Sequence, residues 1–235
     1  MKKLASLLCL VGALCAGSPV VAASVDRLSS ISIQQTPVWC WAASAEALLR
    51  HLDYPNVNPG DNYQCGIVGV TFPKCAAGCF GCVQAIGALP NIELVLRGYA
   101  DYVLATKGYF RADFHPTFVA NPTFAQIQDA LDRGYVVIGG ISPAAEPVNP
   151  AYAQHAIVIS GYAAPDPGET GHRIVTSYDP LAYEPGQSPY DYRPGVSYDP
   201  SNGRVEAEWG VFLHQLHFTA AVFVNPPGSG FDISD

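Results

Sequence analysis

The chain has 235 residues, 49% of them hydrophobic, and a formal charge of −8 from 12 basic against 20 acidic side chains. An acidic chain of this kind disfavours nucleic acid as a partner, because phosphate binding needs a basic face. Beyond the N-terminal segment no stretch offers the ~18 uninterrupted apolar residues of a membrane-spanning helix, so stable membrane insertion is not expected.

Lys2 and Lys3, an apolar run from Leu4 to Ala16, and small residues up to Ala22-Ala23 read as an export signal, with cleavage expected after Ala23. Cys9 and Cys15 each follow a leucine, where a lipidated cysteine would follow a small residue, so no lipid anchor is expected. Cleavage removes two lysines and no acid, moving the formal charge from −8 to −10. The remaining residues suit a single domain over 24–225 and a loose tail over 226–235, in the periplasm or the medium.

Export also sharpens the cysteine count. Cys40, Cys65, Cys75, Cys79 and Cys82 remain, an odd number, so an oxidising compartment leaves at least one thiol unpaired. The last four lie close enough in sequence to form two disulfides, in any of three pairings, with Cys40 left over. A zinc site at these four positions competes, but two well-separated CxxC knuckles are missing and export favours disulfides.

The first predicted element follows Gln34-Gln35-Thr36-Pro37-Val38-Trp39, with Cys40 at its start. Trp41, Ala45, Leu48, Leu49 and Leu52 keep helical spacing and bury one face, and Tyr54-Pro55 and Asn58-Pro59-Gly60 end the run. A thiol at a helix N-terminus feels the positive end of the helix dipole, which favours the thiolate. Gln34, six residues upstream, can offer an amide N–H to an oxyanion, and Gln35 replaces it if the loop is one residue tighter. Residues 61–90 read as a cysteine-rich excursion with a short helix around Cys82 to Leu89. Ile92 to Tyr109 is ambiguous between strand and helix.

Thr123-Phe124-Ala125-Gln126 has the form of a capping box, and Gly134 closes the helix it opens. Tyr135 to Ile141, Ala153 to Tyr162 and His172 to Tyr178 read as strands, the last two joined by a loop of turn formers into an antiparallel hairpin. A Tyr-, Pro- and Gly-rich loop follows Pro180, lining a cleft or forming a solvated flap. A helix over Val205 to Leu216 and a strand over His217 to Val224 close the domain.

The hairpin makes His155, at the beginning of its first strand, a neighbour of Asp179, at the end of its second. An imidazole between a thiol and a carboxylate can abstract the thiol proton and keep the useful tautomer. Asp199 is the rival carboxylate, but it has no adjacent strand pairing with His155. His51, His115, His172, His214 and His217 lack metal-ligand spacing and read as structural or exposed.

Three blocks carry a resemblance: Gln34 six residues before Cys40-Trp41-Ala42, Gln154-His155-Ala156-Ile157-Val158-Ile159-Ser160-Gly161-Tyr162, and Val175-Thr176-Ser177-Tyr178-Asp179-Pro180. In combination, over most of residues 34–180, they resemble the papain-like cysteine peptidases. The nearest branch is bacterial, exported or effector proteases without a long propeptide, related to the domains that trim double-glycine leaders. The resemblance implies an α+β fold with a helical lobe over about 34–130, an antiparallel sheet lobe over about 131–225, and a cleft between them. It implies Cys40 as nucleophile, His155 as general base and acid, Asp179 as the residue orienting the imidazole, and Gln34 as oxyanion donor, with Trp41 covering the His155–Asp179 pair. Asp179 stands where papain itself has asparagine; related branches use aspartate.

The activity so implied is hydrolysis of protein or peptide substrates through an acyl-enzyme, with no metal or organic cofactor. Only about ten residues separate the expected cleavage site from Gln34, so restraint is expected from an inhibitor protein, a partner or oxidation of Cys40. Acyl transfer or cleavage of peptidoglycan peptides on the same three residues is the first rival, and a non-catalytic, disulfide-stapled binding module the second.

Overall fold

The computed structural model describes residues 23–86, 88–145, 147–165, 171–184 and 186–224. The expected signal segment, apart from Ala23, and the expected tail lie outside them. The chain enters on β1 (Ala23–Asp26) and continues to α1 (Cys40–His51), α2 (Tyr63–Thr71), two 3-10 turns (Pro73–Cys75 and Cys79–Gly81) and α3 (Leu89–Lys107). Next come β2 (Pro116–Ala120), α4 (Phe124–Asp132), β3 (Val137–Ile141), β4 (His155–Ala164) and β5 (Ile174–Tyr178). β6 (Val196–Asp199), β7 (Arg204–Glu208), α5 (Trp209–His214) and β8 (Ala220–Val224) complete it.

The fold is α+β. Its sheet runs β2-β8-β3-β4-β5-β7-β6, with β1 added along the far half of β4, and every pairing is antiparallel. The central strands are apolar on both faces because both faces are covered. Ile138, Ala156, Val158, Ala220 and Val222 point into a core shared with α1, α2 and α3. Their neighbours Val137, Ile157, Ile159, Ala221 and Phe223 point into a second core under α4 and α5, the alternation that the pleat imposes.

Several elements depart from the sequence reading. α2 forms inside the cysteine-rich excursion, opened by Asn62, whose side chain accepts from the Cys65 amide at 3.0 Å. Residues 82–86 are irregular, and the helix expected there starts only at Leu89. The ambiguous segment is then helical, with Pro90 in its first turn and Gly108 in the left-handed conformation at its end. Residues 204–208 form a strand because Val205 and Ala207 alternate with Arg204, Glu206 and Glu208, and only 209–214 turn helical. β2 and α4, within the span expected to be the helical lobe, join the sheet and its outer layer.

The predicted helix at Cys40 is α1, but it is buried all round rather than on one face. Every residue from Trp41 to Leu49 is buried. Four alanines in that stretch let the sheet, α2 and α3 approach closely from different sides.

Candidate active site

α1 has no side-chain cap at its N-terminus, so its first N–H groups are free to serve a ligand. The Cys40 thiol lies there beside the His155 ring, with the Trp41 and Ala156 amides around it favouring its charged form. Burial by itself would raise its pKa. The hydrogen bond and positive charge of His155, followed by the two amides, bring it below the ordinary thiol value. Cys40 is also the free thiol among the described cysteines, because the structure pairs Cys65 with Cys79 and Cys75 with Cys82.

His155 and Asp179 meet as the hairpin predicts. Val158 pairs with Tyr178 across β4 and β5, and a short diagonal reach then brings His155 Nε2 to Asp179 Oδ1 at 2.6 Å. The Asp179 side chain is wholly inaccessible and that of His155 nearly so. Burial would lower the imidazole pKa, but the charge and hydrogen bond of Asp179, helped by Cys40, raise it to about 10. The ring nitrogen facing Asp179 donates, since an ionised carboxylate only accepts.

Asp179 is held by more than its histidine. Oδ1 also accepts from the Leu181 amide at 2.7 Å, and Oδ2 accepts from the hydroxyls of Tyr190 at 2.6 Å and Tyr183 at 3.1 Å. Its backbone N–H donates to the Gly203 carbonyl at 2.8 Å. Gly203 has φ +76°, and a Cβ there would lie 2.4 Å from the Asp179 carbonyl oxygen, a backbone atom that cannot swing aside. Gly203→Ala is therefore expected to destabilise the fold by about 2 kcal/mol and to lower turnover by displacing Asp179. Thermal unfolding and activity measured on one preparation check it, and an unchanged melting temperature would show that the turn yields freely.

Gln34 is buried and its backbone N–H donates to Pro180 O at 2.8 Å, which sets it beside Asp179. Its side-chain Nε2 donates to Thr36 O at 2.8 Å, and Oε1 is buried without a partner. The amide orientation is fixed by that carbonyl, since the flipped form would put two oxygens in contact. Gln35 is exposed, with its Oε1 accepting from Asn62 at 2.7 Å. Gln64, fully buried on α2, straddles Gln34: it donates to Ile33 O, accepts from the Gln35 amide and donates to the buried Glu46.

The tryptophans flanking Cys40 reach the cysteine-rich segment. Trp39 Nε1 donates to Cys82 O at 3.2 Å and Trp41 Nε1 to Gln84 O at 3.1 Å. They tie the cysteine-rich segment to the first turn of α1. Trp41 packs edge-on against Phe72 and lines the same cavity as Cys40 and His155. A narrow cavity of about 100 Å³ opens beside Cys40 and His155, walled by Val38, Trp41, Ile86 and Leu89.

A family model described as "Peptidase_C39 like family" matches residues 24–210, a span that contains all these groups. The chain belongs to the Peptidase_C39-like family. It is a papain-like relative of the C39 cysteine peptidases, and proteins or peptides are the substrates this family implies. No curated protein matches the chain in sequence.

Within this Peptidase_C39-like domain the remaining candidates fall elsewhere. Asp199 is exposed and bound to Ser201. His51 contacts Gly134 O, His217 contacts Ser142 O, and His172 lies exposed beside Glu208. Among the described residues no helix is long and apolar enough to cross a membrane. The sequence reading did not find Gln64, and it placed Tyr183 and Tyr190 only in a cleft-lining or solvated loop without a role on Asp179. The tyrosines recurring just after Asp179 were the one available signal, and composition cannot say whether a loop folds back.

Proposed function

We propose that the protein is an exported thiol peptidase in which Cys40, His155 and Asp179 act as a triad and Gln34 assists. The carrying observation is the line of groups from a half-buried thiol to the imidazole to a buried carboxylate, in which the thiol is the free cysteine among the described residues. Two disulfides in the same domain fit an oxidising compartment.

In this reading Cys40 and His155 rest as a thiolate–imidazolium pair. The thiolate attacks the amide carbonyl. The Cys40 backbone N–H and the second amide hydrogen of Gln34, the first being used by Thr36 O, receive the oxyanion. Gln34 fits this place better than Gln35, because Gln35 is exposed and engaged by α2. Protonated His155 passes its proton to the leaving amine, giving a thioester, and then takes a proton from the water that hydrolyses it. Asp179 keeps the ring in place throughout.

The pH profile follows from the two shifts. Below the lowered Cys40 pKa the thiol regains its proton and activity falls. Above about 10 His155 loses the proton the amine needs, and activity falls again. The direct test is iodoacetamide or E-64 labelling of the unreduced protein, followed by peptide mapping. One modification at Cys40 is expected, with alkylation already fast at pH values well below the ~8.5 of a free thiol. A thiol that labels only above that range, with casein left intact, would leave the binding-module reading. An amine-exchanged product in place of a hydrolysed one would instead favour acyl transfer.

A further inference from the structure

The loop after Asp179 folds back over it, and two of its phenols converge on a single oxygen. Tyr190 and Tyr183 both donate to Oδ2, the oxygen not used by His155. Tyr190 is only 2% exposed. Its ring packs against Tyr183 and Tyr198 with centroids 6.1 and 5.2 Å away, and Tyr183 and Tyr198 are also in contact. The loop is anchored by Arg193, whose guanidinium donates to Gln215 O at 2.6 Å and Pro143 O at 2.7 Å. A buried phenol needs one acceptor of any kind. Two aimed at the same carboxylate oxygen define an environment for that charge.

We propose that Tyr183 and Tyr190 are positioning residues that fix the Asp179 carboxylate and share its charge, so that His155 can release its proton to the leaving amine. The proposal rests on the triad reading above. Its physical basis is the burial of Asp179 away from water. A buried carboxylate with an unsolvated oxygen binds an adjacent imidazolium more tightly, because deprotonating the ring would leave the full charge poorly stabilised. Two hydroxyl donors supply the solvation that water cannot. The groups facing the carboxylate are His155 from β4, Cys40 beyond it from α1, Tyr183 and Tyr190 from the loop, and Tyr198 from β6. Burial and the carboxylate itself push both phenols above their ordinary value, so they stay neutral donors across the working range.

The test uses Tyr183→Phe, Tyr190→Phe and the double variant of the full exported chain. Each is assayed on a peptide amide chosen from mapped casein cleavage sites and on the p-nitrophenyl ester of the same acyl group. An ester leaves without needing the proton, so amide turnover should fall about threefold or more relative to ester turnover. A second readout needs no turnover: ¹⁵N NMR titration of His155 in a Cys40→Ala background, where the imidazole pKa should rise by about one unit when Tyr190 loses its hydroxyl. Equal losses on amide and ester, or an unmoved or lowered His155 pKa, would overturn the proposal and leave the tyrosines as packing. If Tyr190→Phe fails to fold, the less buried Tyr183→Phe decides by the same two readouts. Failure of the triad reading looks different: Cys40→Ala would keep its activity, or Cys40 in the parent protein would resist alkylation.

Discussion

Cys40→Ala and His155→Ala are each expected to lower peptide hydrolysis by about 10⁴-fold or more, the scale on which removal of a nucleophile or its base abolishes covalent catalysis. The two losses have different signatures. Cys40→Ala leaves nothing to alkylate. His155→Ala keeps the thiol but removes the hydrogen bond and charge that oppose its burial, so burial then governs and the labelling limb moves to higher pH. Asp179→Ala should cost roughly 10²- to 10⁴-fold, since it removes the acceptor at 2.6 Å from His155 Nε2. Asp179→Asn should lose less, because its amide oxygen can still accept the ring N–H. Turnover on casein and iodoacetamide rates against pH check all four variants. Unchanged turnover in Cys40→Ala or His155→Ala would remove the triad.

The second large effect is expected from the disulfides. Cys65–Cys79 closes a sequence separation of 14 and Cys75–Cys82 one of 7. On loop-closure entropy the two together stabilise the fold by about 4 kcal/mol, allowing for their overlap. That is a large share of the ~5–15 kcal/mol available to a domain. Their position makes the loss functional as well. Cys65 adjoins Gln64, which clamps the backbone on both sides of Gln34. Cys82 supplies the carbonyl that receives the Trp39 indole, and Gln84 the one that receives Trp41. The cysteine-rich segment therefore holds the Cys40 turn from one side and the Gln34 loop from the other. Paired substitutions, Cys65→Ser with Cys79→Ser and Cys75→Ser with Cys82→Ser, are expected to lower the melting temperature by several degrees and to reduce turnover well below the folded temperature. Full activity at a lowered melting temperature would mean that the disulfides staple the fold without shaping the site.

How much of this was legible before folding depends on how local the information is. Cys40 at a helix start, the capping box at Thr123 and the apolar run ending at Ile141 are local patterns, and each forms the element it predicts. α3 stayed ambiguous between strand and helix, although Ile92, Val95, Leu96, Tyr99 and Val103 keep helical spacing between Pro90 and Gly108. The pattern blurs because Leu94, Tyr102 and Leu104 stand exposed on its outer face. β2, β6 and β7 are short strands whose pairing partners lie far away in sequence or across a turn, and five residues of pattern cannot announce a partner.

The sequence by itself determined the odd cysteine, the order of thiol, histidine and acid along the chain, and the hairpin that brings the last two together. These follow from counting and from period-two registry, which are properties of the chain. Only the tertiary structure decided the disulfide pairing, the place of Trp41, the clamp of Gln64 on the Gln34 loop and the two tyrosine hydroxyls on Asp179. Each of these is a contact between segments whose separation in sequence carries no distance information. The polar ones among them exist because most buried polar groups take a partner where the fold supplies one. For Asp179 that requirement is met by a histidine, an amide and two phenols.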